Sequence, residues 1–132
     1  MSWEPADFNV ARLLGPQKVR GYAFNGLGLH MELRGSPKGR RAPTWGLYHL
    51  NTGHRIILII GVVAVAFPIA TEIAECSDWT FDGLRGWKNR DPDLYEKLCA
   101  ITERHSSACR HAPGSGSNDD TARAILLARE AA

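Results

Sequence analysis

The clearest hydrophobic pattern in the chain lies between residues 45 and 60, where two apolar stretches flank a short polar turn. Trp45–Leu50 and His54–Ile60 are rich in the aromatic, aliphatic and β-branched residues that are typical of strands. The connection Asn51-Thr52-Gly53 ends in a glycine that can adopt positive φ. The pattern predicts a β-hairpin with a three-residue loop and a bulge at Gly53. Its second strand is apolar on both faces, so we expect it to be central or covered on both sides.

A second alternation, from Tyr22 to Leu33, predicts another strand. Apolar residues alternate there with glycine and polar residues, which is the period of a half-buried strand. The apolar positions are Leu27, Leu29, Met31 and Leu33. Gly26 and Gly28 lie inside this stretch and indicate a bulge or a close approach by another backbone.

After Gly61 the spacing of apolar residues becomes helical. The positions that recur every three or four residues are Val65, Ile69, Ile73 and Cys76. A proline beyond the first turn of a helix removes a hydrogen bond and clashes with the preceding turn, at a cost of about 3 kcal/mol. We therefore expect this helix to begin near Phe67, with Pro68 in its first turn, and a kinked helix is the alternative.

Further helices are predicted near both ends of the chain. Residues 3–14 carry Val10, Leu13 and Leu14 at helical spacing after Asp7, and Gly15-Pro16 would end the helix. Asp91-Pro92 is a strong helix start, and the helix that follows should reach about Ser106. Between these regions, an aromatic stripe is expected to pack helices onto the sheet; its members are Trp79, Phe81, Leu84 and Trp87.

These elements predict an α+β fold. A mainly antiparallel sheet of three or four strands, from residues 20–60, would be covered on one face by two or three helices from residues 62–106. Residues 1–111 would form the domain. Residues 112–118 have the composition of a linker, and residues 119–132 would form a C-terminal helical tail with Ala122, Ile125, Leu126 and Arg129 along one side.

Charge, cysteine content and the apolar middle of the chain favour a cytoplasmic protein. The uncharged run Ile56–Thr71 is 16 residues long, short of the roughly 20 that a membrane-spanning helix needs. Three cysteines without C-x-x-C spacing are typical of a reducing compartment, and Cys109 is expected to be the most exposed thiol. The N-terminus lacks the features of a signal peptide. Residues 1–60 carry a net charge of +5 and residues 61–132 of −3, which suits self-association.

Several polar and aromatic side chains could line a ligand pocket between sheet and helices. The aromatic candidates are Trp45, Tyr48, Trp79 and Trp87, and the polar ones are His30, Glu32 and His49. Ordinary strand and core roles explain the same residues. A set of metal-ligand types, Cys99, His105, Cys109 and His111, lacks the paired spacing of a zinc site, so neither metal nor cofactor is expected.

A basic loop is the feature that best suits nucleic acid. It lies in residues 34–41 and contains Arg34, Lys38, Arg40 and Arg41, with Lys18 and Arg20 upstream. Basic loops contact phosphates without reading sequence. No helix-turn-helix, RNP-type or zinc-finger pattern accompanies the loop, so nucleic-acid binding is possible but not favoured.

One motif resembles small uncharacterised proteins of bacterial mobile DNA, of the plasmid, phage or integron-cassette type. It comprises Trp45, His49 and Thr52-Gly53, then an alanine-rich helix, then Asp78-Trp79. The resemblance covers about a quarter of the chain. It implies a small cytoplasmic accessory protein, and it carries over no catalytic residue.

The sequence therefore favours a non-enzymatic interaction module that forms a homodimer. The helical layer is rich in Trp and Tyr, which are enriched at interfaces. The tail helix would be marginal by itself and must dock somewhere. The alternatives are a small-molecule-binding protein or enzyme, with its pocket between sheet and helices, and a nucleic-acid-binding protein that uses residues 34–41.

Overall fold

The computed structural model describes residues 3–12, 14–35, 42–81 and 93–110, which form one antiparallel sheet and two helices. Six strands lie in the sheet in the order in which they follow along the chain. Their bounds are β1 Glu4–Val10, β2 Gln17–Phe24, β3 Leu27–Leu33, β4 Thr44–His49, β5 Arg55–Ile60 and β6 Cys109–Arg110. Helix α1 spans Val63–Glu75 and helix α2 spans Leu94–Arg104. The predicted α+β class is confirmed, with a larger sheet than expected.

The N-terminal segment is a strand, and the helix predicted over residues 3–14 is wrong. β1 pairs with β2 along its whole length, from Glu4 opposite Ala23 to Val10 opposite Gln17. Side chains alternate as a strand requires, since Ala6, Phe8 and Val10 are less exposed than Asp7 and Asn9 between them. The pairing of β1 with β2 therefore determines the structure of this segment, although a few of its apolar residues have helical spacing.

The single strand predicted over Tyr22–Leu33 is a hairpin of two strands. Asn25 and Gly26 have φ of 52° and 86°, the positive values that a two-residue type I′ turn needs. Gly26 therefore belongs to this turn and not to a bulge. The apolar alternation continues on both sides of the turn, because Leu29 lies opposite Tyr22 and Leu27 opposite Phe24.

The hairpin predicted around residues 51–53 is confirmed as β4 and β5, but residues 50–54 connect the strands, so the predicted three-residue loop is too short. Gly53 has φ of 76°, as its place in the turn predicts. The bulge lies in the strand instead of at Gly53, because Leu47 faces Ile57 while Tyr48 faces Arg55, which leaves Ile56 as the extra residue. β5 lies between β4 and β6, which agrees with its apolar composition.

Helix α1 begins at Val63, so the predicted start near Phe67 is wrong. Pro68 lies in the second turn and lacks only the hydrogen bond that its N–H would donate to the preceding turn. Burial compensates for this loss. The buried side chains of α1 are Ala66, Ile69, Ala70, Ile73 and Ala74. Helix α2 ends at Arg104, near the predicted limit, and its expected start at Asp91-Pro92 lies outside the described residues.

The sheet buries apolar side chains on both faces. The larger cluster lies between the sheet and the helices and includes Leu29, Leu47 and Ile57 from the strands. The smaller one lies on the opposite face, where Val10, Val19 and Tyr48 pack together with Phe8. This second face is called the back face below.

The short strand β6 closes the sheet beside β5. Cys109 lies opposite Ile59, and the amide of Ile60 donates to the carbonyl oxygen of Ala108 at 2.7 Å. Cys109 is only 8% exposed, so the expectation that it is the most exposed thiol is wrong. Burial raises the pKa of its thiol to about 11.

The middle of the chain divides into a strand that ends at Ile60 and a helix that begins at Val63. Neither helix in the described ranges combines the length and apolarity needed to span a membrane. The predicted linker of residues 112–118 and the predicted tail of residues 119–132 lie outside the described residues.

Candidate functional site

The residues predicted to line one pocket lie on opposite faces of the sheet. Successive residues of a strand point to alternate faces, so Trp45 faces the helices while Tyr48 faces away from them. Glu32 contacts Tyr48 on the back face. His30 has its ring against the carbonyl oxygen of Arg20 at 3.0 Å. The structure therefore separates Trp45 from Glu32 and brings only Tyr48 among the described aromatic candidates to the candidate acid.

Trp45 and Trp79 belong to the core beneath α1. Trp45 is 4% exposed, and its ring nitrogen donates to the carbonyl oxygen of Gly61 at 3.0 Å. Trp79 is fully buried, and its ring nitrogen donates to the carbonyl oxygen of Ile73 at 2.9 Å. Both side chains fix the ends of α1. Trp87 lies outside the described residues.

His49 holds the β4–β5 turn against the segment that follows α1. Its Nε2 lies 3.1 Å from the carbonyl oxygen of Trp79, and its Nδ1 lies 2.8 Å from the hydroxyl of Thr52. A carbonyl oxygen only accepts, so Nε2 carries the proton and Nδ1 accepts from Thr52 in the neutral ring. The ring stacks on Phe81 at 4.2 Å between centroids. Burial lowers the pKa of His49, which keeps the ring neutral.

Side chains of two hairpin turns hydrogen-bond to the backbone at the end of α1 and in the segment that follows it. The side-chain amide of Asn51 donates to the carbonyl oxygens of Thr80 and Phe81, both at 3.0 Å. The side-chain amide of Asn25 donates to Ala74 and Ser77 in the same way. A Cβ at Gly26 would lie 2.4 Å from the carbonyl oxygen of Trp79, so only glycine fits there. These contacts and those of His49 with Thr52 and Trp79 join the two turns to the segment that follows α1.

A partly buried ion-pair cluster on the back face includes Arg12, which the sequence did not single out. Arg12 donates from Nη2 to Glu32 Oε2 and from Nη1 to the Tyr48 hydroxyl, both at 3.1 Å. The Tyr48 hydroxyl in turn donates to Glu32 Oε1. Arg12 is 20 residues from Glu32 and 36 from Tyr48, so no local pattern could have linked them.

Burial controls the chemistry of this cluster. Tyr48 is 1% exposed under Phe8, Val10 and Val19. Burial, followed by the nearby Glu32 carboxylate, raises the pKa of the Tyr48 phenol, so the hydroxyl remains a hydrogen-bond donor at neutral pH. The three side chains satisfy one another. Their arrangement fastens the end of β1 to the sheet and presents no unused acid or base within the trio.

A glycine makes room for the cluster. A Cβ at Gly46 would lie 2.5 Å from Glu32 Oε1 and 2.6 Å from the Tyr48 ring. Gly46 lies two residues before Tyr48 on β4 and pairs with His30, which lies two residues before Glu32 on β3. On its other side Gly46 pairs with Leu58 of β5. A glycine inside a predicted strand indicates that other atoms approach the backbone closely. The sequence did not indicate which side chains occupy the space beside Gly46.

A second charged cluster joins the two helices. Glu72 of α1 accepts from Arg104 of α2 and from His105 Nε2, the latter at 2.9 Å. The hydrogen bond from His105, followed by that from Arg104, lowers the pKa of the Glu72 carboxyl. Side-chain exposures of 32% for Glu72 and 59% for Arg104 make this a surface contact with a structural role.

Two open grooves are formed by residues in the described ranges, and the predicted pocket residues line neither of them. One, of about 600 Å³, lies along β1 and β2 and is lined by Pro5, Ala6, Asp7, Arg20, Gly21 and Tyr22. The other, of about 410 Å³, lies between the β1–β2 and β4–β5 turns and is lined by residues 9–12, 15–16 and 50–53. Neither is the enclosed apolar pocket that small-molecule sites favour.

The predicted basic loop is described only at its start. Arg34 is exposed after β3, while Lys38, Arg40 and Arg41 lie outside the described residues. Upstream, Arg20 is 89% exposed in its side chain and pairs with Asp7 at 3.3 Å. For metals, the described residues contain no group of three or more His, Cys, Asp or Glu side chains able to hold an ion.

The most unusual surface in the described structure is the exposed face at the start of α1. It consists of Val62, Val63, Ala64, Val65 and Pro68, and is called the α1 surface below. Val62 and Val63 are each 56% exposed and Val65 is 40% exposed. All five are apolar, although the exposed face of a helix normally carries charged or polar residues. In the sequence, this signal was visible only as the uncharged run Ile56–Thr71.

Comparison with known proteins gives no relative from which function could be inferred. No protein-family model, curated protein or solved structure matches this chain. The function must therefore be argued from the surfaces and contacts described above.

Proposed function

We propose that this protein is a small interaction module that self-associates, with the α1 surface as its contact site. The observation that carries the proposal is that the first two turns of α1 are apolar on their exposed side as well as on their buried side. A helix with this composition is normally covered all round. The largest exposed apolar patch on a soluble protein, typically of about 300–600 Å², is often a functional surface.

A second copy of the chain is the partner that this surface fits best. In a symmetric dimer each copy covers the same patch of the other, and two uncharged apolar patches can lie near each other without repulsion. Homodimer interfaces are also more apolar than those of transient complexes. The five residues of the α1 surface carry no charge.

The composition of α1 disfavours a lipid surface as the partner. Helices that lie on membranes carry Lys and Arg on their polar face, which anionic lipids attract. Residues 63–75 contain two carboxylates, Glu72 and Glu75, and no Lys or Arg. These acids would be repelled by an anionic bilayer.

The hydrogen bonds of the candidate polar residues support a binding function and not a catalytic one. His49 is enclosed between Thr52 and Trp79, with both ring nitrogens in hydrogen bonds. Glu32 and Tyr48 bind each other and Arg12. A general acid or base must instead reach a substrate.

Replacement of one valine by a charged residue tests the proposal. Val63→Glu places a carboxylate in the middle of the α1 surface, and it should not disturb folding because acids are favourable in the first turn of a helix. Leu14→Glu is the matched control, since Leu14 is 99% exposed at the β1–β2 turn. Both variants and the wild type are measured by size-exclusion chromatography with light scattering, and folding is checked by circular dichroism.

We expect the wild type and Leu14→Glu to be dimers and Val63→Glu to be a folded monomer. A buried carboxylate without a partner would raise the dimer dissociation constant at least tenfold, on the order of 1.4 kcal/mol or more. A Val63→Glu protein with the mass of the wild-type dimer would refute the α1 surface as the contact site. A wild-type monomer at every concentration would refute self-association.

A further inference from the structure

We propose that the C-terminal tail, residues 119–132, of each copy covers the α1 surface of the other, so that the two chains exchange tails. This inference rests on the proposed self-association and names the segment that makes the contact. Three observations support it: the area of the α1 surface, the sequence of the tail, and the point at which the described chain ends.

The α1 surface is too small to hold a dimer by itself. Five small residues at about half exposure leave on the order of 300 Å² of accessible surface, whereas a stable interface buries about 800 Å² on each partner. Direct packing of α1 against α1 of a second copy would therefore fall short. Additional chain must contribute to the contact.

The tail has the composition that this additional contact needs. Its sequence, TARAILLARE in residues 121–130, places Ala122, Ile125 and Leu126 on one side at helical spacing. A helix of about a dozen residues is marginal in water unless an apolar face is packed. These aliphatic residues match the valines, alanine and proline of the α1 surface in size, and Arg129 follows them on the same side of the tail.

The described chain ends within reach of the α1 surface. Ala108 hydrogen-bonds to Ile60, two residues before Val62, and the antiparallel strand β6 then runs away from α1 to Arg110, which lies opposite Leu58. Residues 111–118 lie between Arg110 and the tail, and eight extended residues span up to about 27 Å. This distance allows the tail to reach a second copy that lies beside α1.

Exchange follows from the requirement for self-association. A tail folded onto its own chain would cover the α1 surface and leave no surface for a second copy. When the tails are exchanged, the tail of each chain covers the α1 surface of the other chain. The dimer then contains two identical contacts related by its symmetry. The two arrangements predict different results when variants are mixed.

The experiment uses full-length variants that disable either the tail or the surface. Ile125→Asp with Leu126→Asp charges the apolar side of the tail. Ala124→Asp with Ala131→Asp is the matched control, because these residues lie on the opposite side of the same predicted helix. Val63→Glu disables the surface and leaves the tail intact. Masses are measured by native mass spectrometry for each variant alone and for an equimolar mixture of the tail variant with Val63→Glu.

Tail exchange predicts that the tail variant and Val63→Glu are each monomeric and that the tail control is dimeric. The mixture should form a heterodimer, since the intact tail of the Val63→Glu chain can cover the intact surface of the tail variant. With one contact instead of two, its dissociation constant should be at least tenfold above that of the wild-type dimer.

Two results would overturn the inference. If the tail variant stays dimeric while Val63→Glu is monomeric, self-association through the α1 surface stands and the tail is not its partner. If both variants are monomeric and the mixture contains no heterodimer, the tail is not exchanged. A dimeric Val63→Glu protein would instead refute the proposed function itself.

Discussion

His49 and Trp79 are separated by 30 residues in the chain and joined by a hydrogen bond from the imidazole Nε2 to the Trp79 carbonyl oxygen at 3.1 Å. This contact connects the β4–β5 turn to the segment that leaves α1. Because Trp79 also donates from its ring to Ile73 at 2.9 Å, the turn is linked through Trp79 to the C-terminal half of α1. The imidazole therefore contributes to the position of the helix on the sheet.

Acid should weaken the fold through His49. Burial lowers the pKa of His49 below its ordinary value of 6.5, so between these two values the unfolded chain binds a proton that the folded chain does not. The free energy of unfolding should thus fall as the pH drops below about 6.5. His49→Gln removes this pH dependence, and at pH 7 it should cost about 1–3 kcal/mol because the Trp79 carbonyl loses a well-placed donor.

Urea denaturation at pH 7 and pH 5.5 measures both effects. Thr52→Ser, which keeps a hydroxyl beside Nδ1 at the same turn, is the control and should keep the pH dependence of the wild type. Equal pH dependence in wild type and His49→Gln would show that the imidazole is not the titrating group.

Tyr48→Phe should destabilise the protein by about 1–3 kcal/mol, because Glu32 loses a donor in a buried site. Burial and the Glu32 carboxylate raise the pKa of the Tyr48 phenol, so this tyrosine should ionise last in a spectrophotometric titration of the folded protein. The variant should lack that final step. Tyr22→Phe, at a partly exposed site, should retain it. A final step of unchanged size in Tyr48→Phe would contradict the described burial.

Glu72→Gln should have a smaller effect, below about 1 kcal/mol, because the pair with Arg104 and His105 is partly exposed to solvent. The hydrogen bond from His105, then that from Arg104, lowers the pKa of Glu72 below its ordinary value of 4.5. Its contribution is therefore present above about pH 4.5 and disappears as the pH falls through the lowered pKa. Unfolding free energies at pH 6 and pH 3 should differ less in the variant than in the wild type. Glu75→Gln, at an exposed site on the same helix, is the control.

Cys109 should react with a thiol reagent only after unfolding. It is buried, and with a pKa of about 11 roughly one thiol in a thousand is ionised at pH 8. Cys109→Ala should therefore leave the number of fast-reacting thiols in the native protein unchanged and lower the number after urea by one. Cys76→Ala, at a half-buried cysteine, is the comparison. Loss of a fast native thiol in Cys109→Ala would contradict the pairing of β6 with β5.

The parts of the fold that the sequence predicted correctly depend on local chemistry. The β4–β5 hairpin combines a glycine that takes positive φ with two strongly strand-forming stretches, and all of these signals lie within 16 residues. The turn at Asn25-Gly26 carried an equally strong signal. It was missed because the apolar alternation continues on both sides of it.

The errors in element assignment come from contacts over long distances. Val10 and Leu14 have helical spacing, yet Val10 is buried against Val19 and Tyr48 while Leu14 is 99% exposed. Only the pairing of β1 with β2 decides between helix and strand there. Likewise, core packing of α1 tolerates Pro68 within the helix.

The candidate pocket failed for a reason that strand geometry could have supplied. Trp45 and Tyr48 are three residues apart on one strand, so they point to opposite faces. Arg12, by contrast, could not have been found, because its partners Glu32 and Tyr48 come together only when β1 packs over the back face. The α1 surface needed the structure as well, since an apolar run does not show which of its residues stay exposed.

Sedimentation equilibrium of the unmodified full-length protein, over a concentration range from 1 to 100 μM at neutral pH, tests the central claim most directly. The account predicts that the average mass rises towards twice that of one chain within this range, because the α1 surface and a second copy cover each other. A mass equal to that of a single chain at every concentration would contradict it.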